Sequence, residues 1–233
     1  MKLILSEKPK KPIIICGFPG FGFVGTISTE FLISYLNAKP IGYFSSMHLS
    51  PIAAIHQGKV IQPIELYYNK KNNIVIVHAL TQVTGREWAI SSAIEDLGKQ
   101  LGAKEIVCLE GIESMNASGN NLSAFVYSTN GKDKRIKIDK LNEGIIMGVS
   151  AAILLRVKST PVTCIFAETH LSVPDSRAAA KTIETLDKYL GLKIPYEPLL
   201  KKAELFEEKI KGLMEKTQKV AEQKKKKEVY YMG

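Results

Sequence analysis

The stretch Ile13-Ile14-Ile15-Cys16-Gly17-Phe18-Pro19-Gly20-Phe21-Gly22-Phe23-Val24-Gly25 decides how the rest of the chain is read. Four consecutive apolar residues, stopped by glycine, predict a short strand buried on both faces. Gly17 to Gly22 is turn chemistry, and the apolar spacing beyond it predicts a helix from about Val24 to Leu36. A buried strand turning directly into a helix is the opening of a βα unit.

The same alternation continues along the chain. Strand signals stand at Ile41–Phe44, Val60–Tyr68, Ile74–Ala79, Ile106–Leu109, Phe125–Tyr127 and Val162–Phe166. Asn69 to Asn73 reads as a hairpin connection. Thr84 is placed to cap a helix from about Arg86 to Leu101 that ends at Gly102; further helices are expected over Met147–Leu155 and over Ser176–Leu190, closed by Gly191. Ser114 to Asn121 is loop chemistry. The expected fold is α/β, a Rossmann-like, mostly parallel sheet flanked by helices, over residues 1–198.

From Leu199 the composition changes. Leu199, Ala203, Phe206, Ile210, Leu213, Thr217 and Val220 alternate at spacings of four and three, a heptad seam on a charged helical arm that fills residues 199–233. The 233 residues carry 32 Lys+Arg and 23 Asp+Glu, a formal net charge of +9. Ten Lys and six Glu of the arm account for +4 of it, so the body holds a weak surplus for its size. The arm's lysines are interleaved with glutamates and no base-stacking aromatic platform accompanies them, which argues against nucleic acid as the partner. No apolar run reaches the roughly 18 residues of a membrane span, and Met1 to Leu5 breaks into charge too soon for a signal peptide, so a cytoplasmic protein is expected.

Residues able to carry chemistry are scattered. Cys16, Cys108 and Cys164 each sit in an apolar run, as buried inert thiols do. His48, His56, His78 and His170 fall on separate elements without metal-ligand spacing, so no metal site is expected. Gly20-x-Gly22-x-x-Gly25 has the placement of a dinucleotide fingerprint, yet Gly42-Tyr43-Phe44-Ser45-Ser46 lacks the acidic residue that would meet a ribose, and Phe18, Phe21 and Phe23 crowd the loop. A structural turn is the first reading and a nucleotide cofactor the second. Ser114, Ser118, Glu110, Glu113, Glu168 and His170 stand near strand C-terminal ends, where open α/β sheets bind ligands. They leave open a phosphorylase- or hydrolase-like enzyme acting on a nucleoside or small carboxylate through Glu110, Glu113 or His170.

The last five residues, Val229-Tyr230-Tyr231-Met232-Gly233, put two tyrosines and a carboxylate beyond a charged helix. Aromatic anchors and a terminal carboxylate are what a pocket on another protein captures.

Three segments together resemble the archaeal members of the proteasome assembly chaperone family: Gly17-Phe18-Pro19-Gly20-Phe21-Gly22-Phe23-Val24-Gly25; Gly111 with Ile112 and Glu113; and Glu168-Thr169-His170 leading to Pro174-Asp175 and Ala178-Ala179. The resemblance covers about residues 11–198. It implies a Rossmann-type sheet shaped like that of nucleoside phosphorylases, ATP-independent help in assembling the 20S proteasome, and a homo-oligomer or an oligomer with a paralogous chaperone. It implies neither a catalytic site nor a cofactor. It also implies docking of a hydrophobic-Tyr-any-residue tail between proteasome α subunits, with Val229, Tyr230, Tyr231, Met232 and Gly233 as the partner-binding residues. Met232 occupies the penultimate place where that pattern has tyrosine.

Overall fold

The computed structural model of the chain describes residues 1–56, 58–113, 122–131, 138–169, 173–196 and 198. Eight strands form one sheet: β1 (Lys2–Leu5), β2 (Ile13–Gly17), β3 (Lys39–Ser45), β6 (Ile64–Asn69), β7 (Ile74–Ala79), β8 (Glu105–Glu113), β9 (Ala124–Ser128) and β10 (Val162–Thr169). A separate ribbon pairs β4 (Ala54–His56) with β5 (Lys59–Ile61). Among the described residues the helices are α1 (Val24–Tyr35), α2 (Glu87–Leu101), α3 (Gly148–Arg156) and α4 (Ser176–Leu190).

The strand order is β1-β3-β6-β7-β2-β8-β10-β9. The inner strands β7, β2, β8 and β10 are mutually parallel, while β1, β6 and β9 run against their neighbours, so most strands point the same way. This is the mixed, mostly parallel, helix-flanked sheet that the apolar runs predict.

Period-two alternation divides each inner strand between two cores. Ile14, Cys16, Val75, Val77, Ile106, Cys108 and Cys164 meet Ile90, Ile94 and Leu97 of α2 and Val149 and Ile153 of α3. Ile15, Ile76, Val107, Leu109 and Ile165 meet Ile27, Phe31 and Leu32 of α1 and Ala179, Ile183 and Leu186 of α4. Both faces are covered, which is why Ile13-Ile14-Ile15-Cys16 needs no polar residue. Each fully buried isoleucine contributes about 1.5–3 kcal/mol relative to exposure.

Several boundaries differ from the sequence reading. The stretch Val60–Tyr68 is two strands, because Gln62-Pro63 interrupts it and proline cannot donate to a ladder. Thr84 does not cap α2: the N-cap is Arg86 without a side-chain bond, and the Glu87 carboxylate accepts from the Gly85 N–H at 3.0 Å. Glycines 102 and 191 do end their helices, with φ of 58° and 67°. Strands β8 and β10 continue past their apolar runs because they pair with each other to Glu113 and Thr169. Strand β1, with only three apolar residues, gave no strand signal of its own and pairs with the edge of β3. The heptad arm and the tyrosine tail lie outside the described residues.

Candidate functional site

The connection leaving β2 runs through α1 toward the β3 edge. The one leaving β8 runs through β9 and α3, on the opposite face, toward β10. Two neighbouring parallel strands whose connections diverge leave a crevice at their C-terminal ends. Here it is a cleft of about 760 Å³ between the glycine turn, the end of β8 and the segment leading into α3.

The glycine turn is welded to its surroundings. A Cβ at Gly25 would stand 2.4 Å from the Leu109 carbonyl oxygen, and one at Gly111 would stand 2.2 Å from the carbonyl oxygen of Phe21. Helix α1 and strand β8 therefore approach as closely as only glycine permits. Gly22 has φ 59°, and its carbonyl accepts the Asp175 N–H at 2.8 Å. Asp175 in turn accepts from the N–H groups of Arg177 and Ala178 and from the Thr169 hydroxyl, capping α4. The three segments that carry the family resemblance thus meet at the C-terminal ends of β2, β8 and β10.

The turn also uses its own amides. Phe23 N–H donates to Gly20 O and Val24 N–H to Phe21 O, closing a 3-10 turn over Phe21–Phe23. Phe23 is held at φ 51°, a left-handed conformation for a bulky residue, with its side chain buried. In a dinucleotide fingerprint such groups face a pyrophosphate; here the glycines serve close packing, as the first reading expects.

Glu110 lies on the cleft floor and is 8% exposed. Its Oε2 accepts from the Ser150 hydroxyl at 3.0 Å, while Oε1 has no hydrogen-bond partner. Burial pushes its carboxyl from the ordinary value near 4.5 up to about 8, against the smaller opposing pull of the Ser150 and Gly111 hydrogen bonds. Glu113 and Glu143 are exposed at the rim. Phe18, Phe21 and Ile146 supply apolar wall, and no Lys or Arg lines the cleft among the described residues.

The other sequence candidates are placed as follows. Glu110 and Glu113 share the cleft; His170, Ser114 and Ser118 lie outside the described residues, as do Val229, Tyr230, Tyr231, Met232 and Gly233. Glu168 accepts the Ser123 N–H at 3.1 Å, tying β10 to the chain entering β9. His78 is buried, with Nδ1 2.8 Å from the Thr29 hydroxyl and Nε2 3.4 Å from Glu30 Oε2. Cys16, Cys108 and Cys164 are buried side by side in register across β2, β8 and β10. Burial raises the Cys16 thiol, and a hydrogen bond with Cys108 together with burial raises that of Cys164, as expected of inert thiols. Among the described residues no three His, Cys, Asp or Glu side chains are grouped to hold a metal ion. No helix among them is long and apolar enough to cross a membrane. Sequence reasoning missed Ser150 and the cleft-lining segment Leu141–Val149, whose only signal was the small-residue opening of α3.

The family model described as "PAC2 family" matches residues 14–214, which is most of the chain and runs past Pro198 into the arm. The chain belongs to the PAC2 family. PbaA of Pyrococcus furiosus, described as an archaeal homologue of a proteasome-assembly chaperone, superposes on 94% of this chain and 99% of its own with a TM-score of 0.84 and 29% identity. PbaB of the same organism, described as an archaeal proteasome activator, matches at 22% identity and a TM-score of 0.74, over 91% of this chain and 98% of its own, and supports the PAC2 fold. A curated relative from Methanocaldococcus jannaschii, the uncharacterised protein MJ0106, is 28% identical over all of this chain and 98% of its own.

Proposed function

We propose that this PAC2 protein is an ATP-independent, non-enzymatic proteasome assembly chaperone or adaptor. In this reading it is a homo-oligomeric platform that holds proteasome α subunits through its C-terminal tail. The observation that carries the reading is the match to PbaA over nearly the whole of both chains at 29% identity. Two features of the chain agree with it. The glycine turn, which in a cofactor enzyme would face phosphate, is engaged in packing α1, α4 and β8 together. The charged arm ends in Val229-Tyr230-Tyr231-Met232-Gly233, whose residue types suit capture by a pocket on a partner.

A single tail is expected to bind weakly, because a contact of a few residues buries little area. Several tails on one oligomer raise the overall affinity through effective concentration, provided their spacing suits the partner. The test is co-sedimentation with proteasome α subunits of the intact chain and of one lacking residues 229–233, with oligomer size followed by light scattering. The shortened chain keeps its oligomer and loses the α subunits. Undiminished binding sinks the tail reading, and a monomeric intact chain sinks the platform.

A further inference from the structure

The geometry points to the cleft above β2 and β8 as a binding site for a small organic cation, an ammonium or amidinium on an apolar body, with Glu110 as its counter-ion. This goes beyond the proteasome reading and does not depend on it. Glu110 is buried, the Ser150 hydroxyl donates to Oε2, and Oε1 has no hydrogen-bond partner. A buried carboxyl with one oxygen unpartnered avoids the cost of ionising by holding its proton, and a positively charged donor reaching it would favour the carboxylate. Gly20, which lines the cleft, abuts Oε1: a Cβ there would stand 2.0 Å from it, so only glycine fits beside the carboxyl.

The surroundings select the charge of the ligand. Glu113 of β8 and Glu143 of the segment before α3 add two rim carboxylates, and among the described residues no cationic side chain lines the cleft to receive phosphate or carboxylate. The half-buried Phe21 on the cleft wall offers apolar surface that suits a cation carried on an apolar body. A metal ion is the poorer fit, because no three ligating side chains are grouped among the described residues. The volume of about 760 Å³ is that of a small-molecule site rather than of a single side-chain pocket.

The bound cation and the Glu110 proton exclude one another. The other titratable groups lining the cleft are the exposed Glu113 and Glu143 carboxyls at its rim; the Cys164 thiol of β10 interacts with Glu110, and the glycine turn contributes none. Burial holds Glu110 mostly protonated at neutral pH, with its carboxyl pushed up to about 8. A cation arriving at Oε1 favours the carboxylate, so binding releases a proton and tightens as pH rises toward 8.

Titration calorimetry of the full chain tests this with phenethylammonium, alongside phenethyl alcohol and phenylpropionate as neutral and anionic counterparts of similar shape. The ammonium is expected to bind at least about tenfold tighter than either counterpart. At about pH 7 it releases close to one proton per site, read from the dependence of the heat on buffer ionisation. Glu110→Gln weakens ammonium binding by about tenfold or more and abolishes the proton release. Should that variant misfold, the ligand series and the proton release of the unaltered chain decide alone. Equal or tighter binding of the anion or the alcohol overturns the proposal. So does an unweakened, folded Glu110→Gln, and so does the absence of ammonium binding at roughly ten millimolar.

Discussion

Replacing Glu110 by glutamine changes how stability depends on pH, and the size of the change follows from the burial of one carboxyl. In the unfolded chain Glu110 titrates near the ordinary 4.5, and in the folded chain at about 8. Below the lower value both states hold the proton and there is no penalty. As pH rises from 4.5 toward 8 the unfolded chain ionises while the folded one cannot, so stability falls; above 8 both ionise and the loss levels off. With the two values given, the penalty is about 1 kcal/mol near pH 5, about 3 near pH 7 and between 4 and 5 near pH 9. Glutamine does not titrate, and its side-chain oxygen still accepts the Ser150 hydroxyl. The variant gains an unpaired amide in place of Oε1, at a cost of about 1–3 kcal/mol that is independent of pH. The difference in unfolding free energy between Glu110→Gln and the original chain should therefore move by about 4 kcal/mol in favour of the variant between about pH 5 and about pH 9. Urea unfolding followed by Trp88 fluorescence and circular dichroism at fixed protein concentration measures it, and all other titrations cancel in the difference. A difference that stays flat across that range refutes the burial argument.

Other contacts of the glycine turn and of α4 make independent tests. Gly25→Ala forces a Cβ to 2.4 Å from the Leu109 carbonyl oxygen between two packed backbones, and should lower stability by about 2–4 kcal/mol or prevent soluble expression; thermal melting checks it. Asp175→Ala removes the α4 cap and the Thr169 hydrogen bond together, and should cost about 1–3 kcal/mol in urea unfolding, whereas Asp175→Asn should recover part of the loss.

The inner sheet was legible because its strands are apolar on both faces. Ile13-Ile14-Ile15-Cys16, Ile74–Ala79 and Ile106–Leu109 have no other stable place than between two helical layers. Helix ends at Gly102 and Gly191 were legible because a left-handed residue stops a helix locally. What depended on distant partners was not. Strand β1 exists because β3 offers an edge, and β8 extends through Glu110 and Gly111 because β10 runs beside it. Glu110 was named among strand-end carboxylates, but its burial arises from the glycine turn, α3 and β10 closing round it, and no local pattern encodes that. The three family segments, widely separated in sequence, make one structural hub for the same reason: each supplies a glycine, a cap or a strand end that the others require.

The central claim is that the chain organises proteasome α subunits, and sedimentation velocity of those subunits from the chain's own source tests it most directly. With the intact chain present, free α subunits should move into a discrete, faster complex that contains both proteins and forms without ATP. Unchanged sedimentation of the α subunits at micromolar concentrations of both partners would contradict the account.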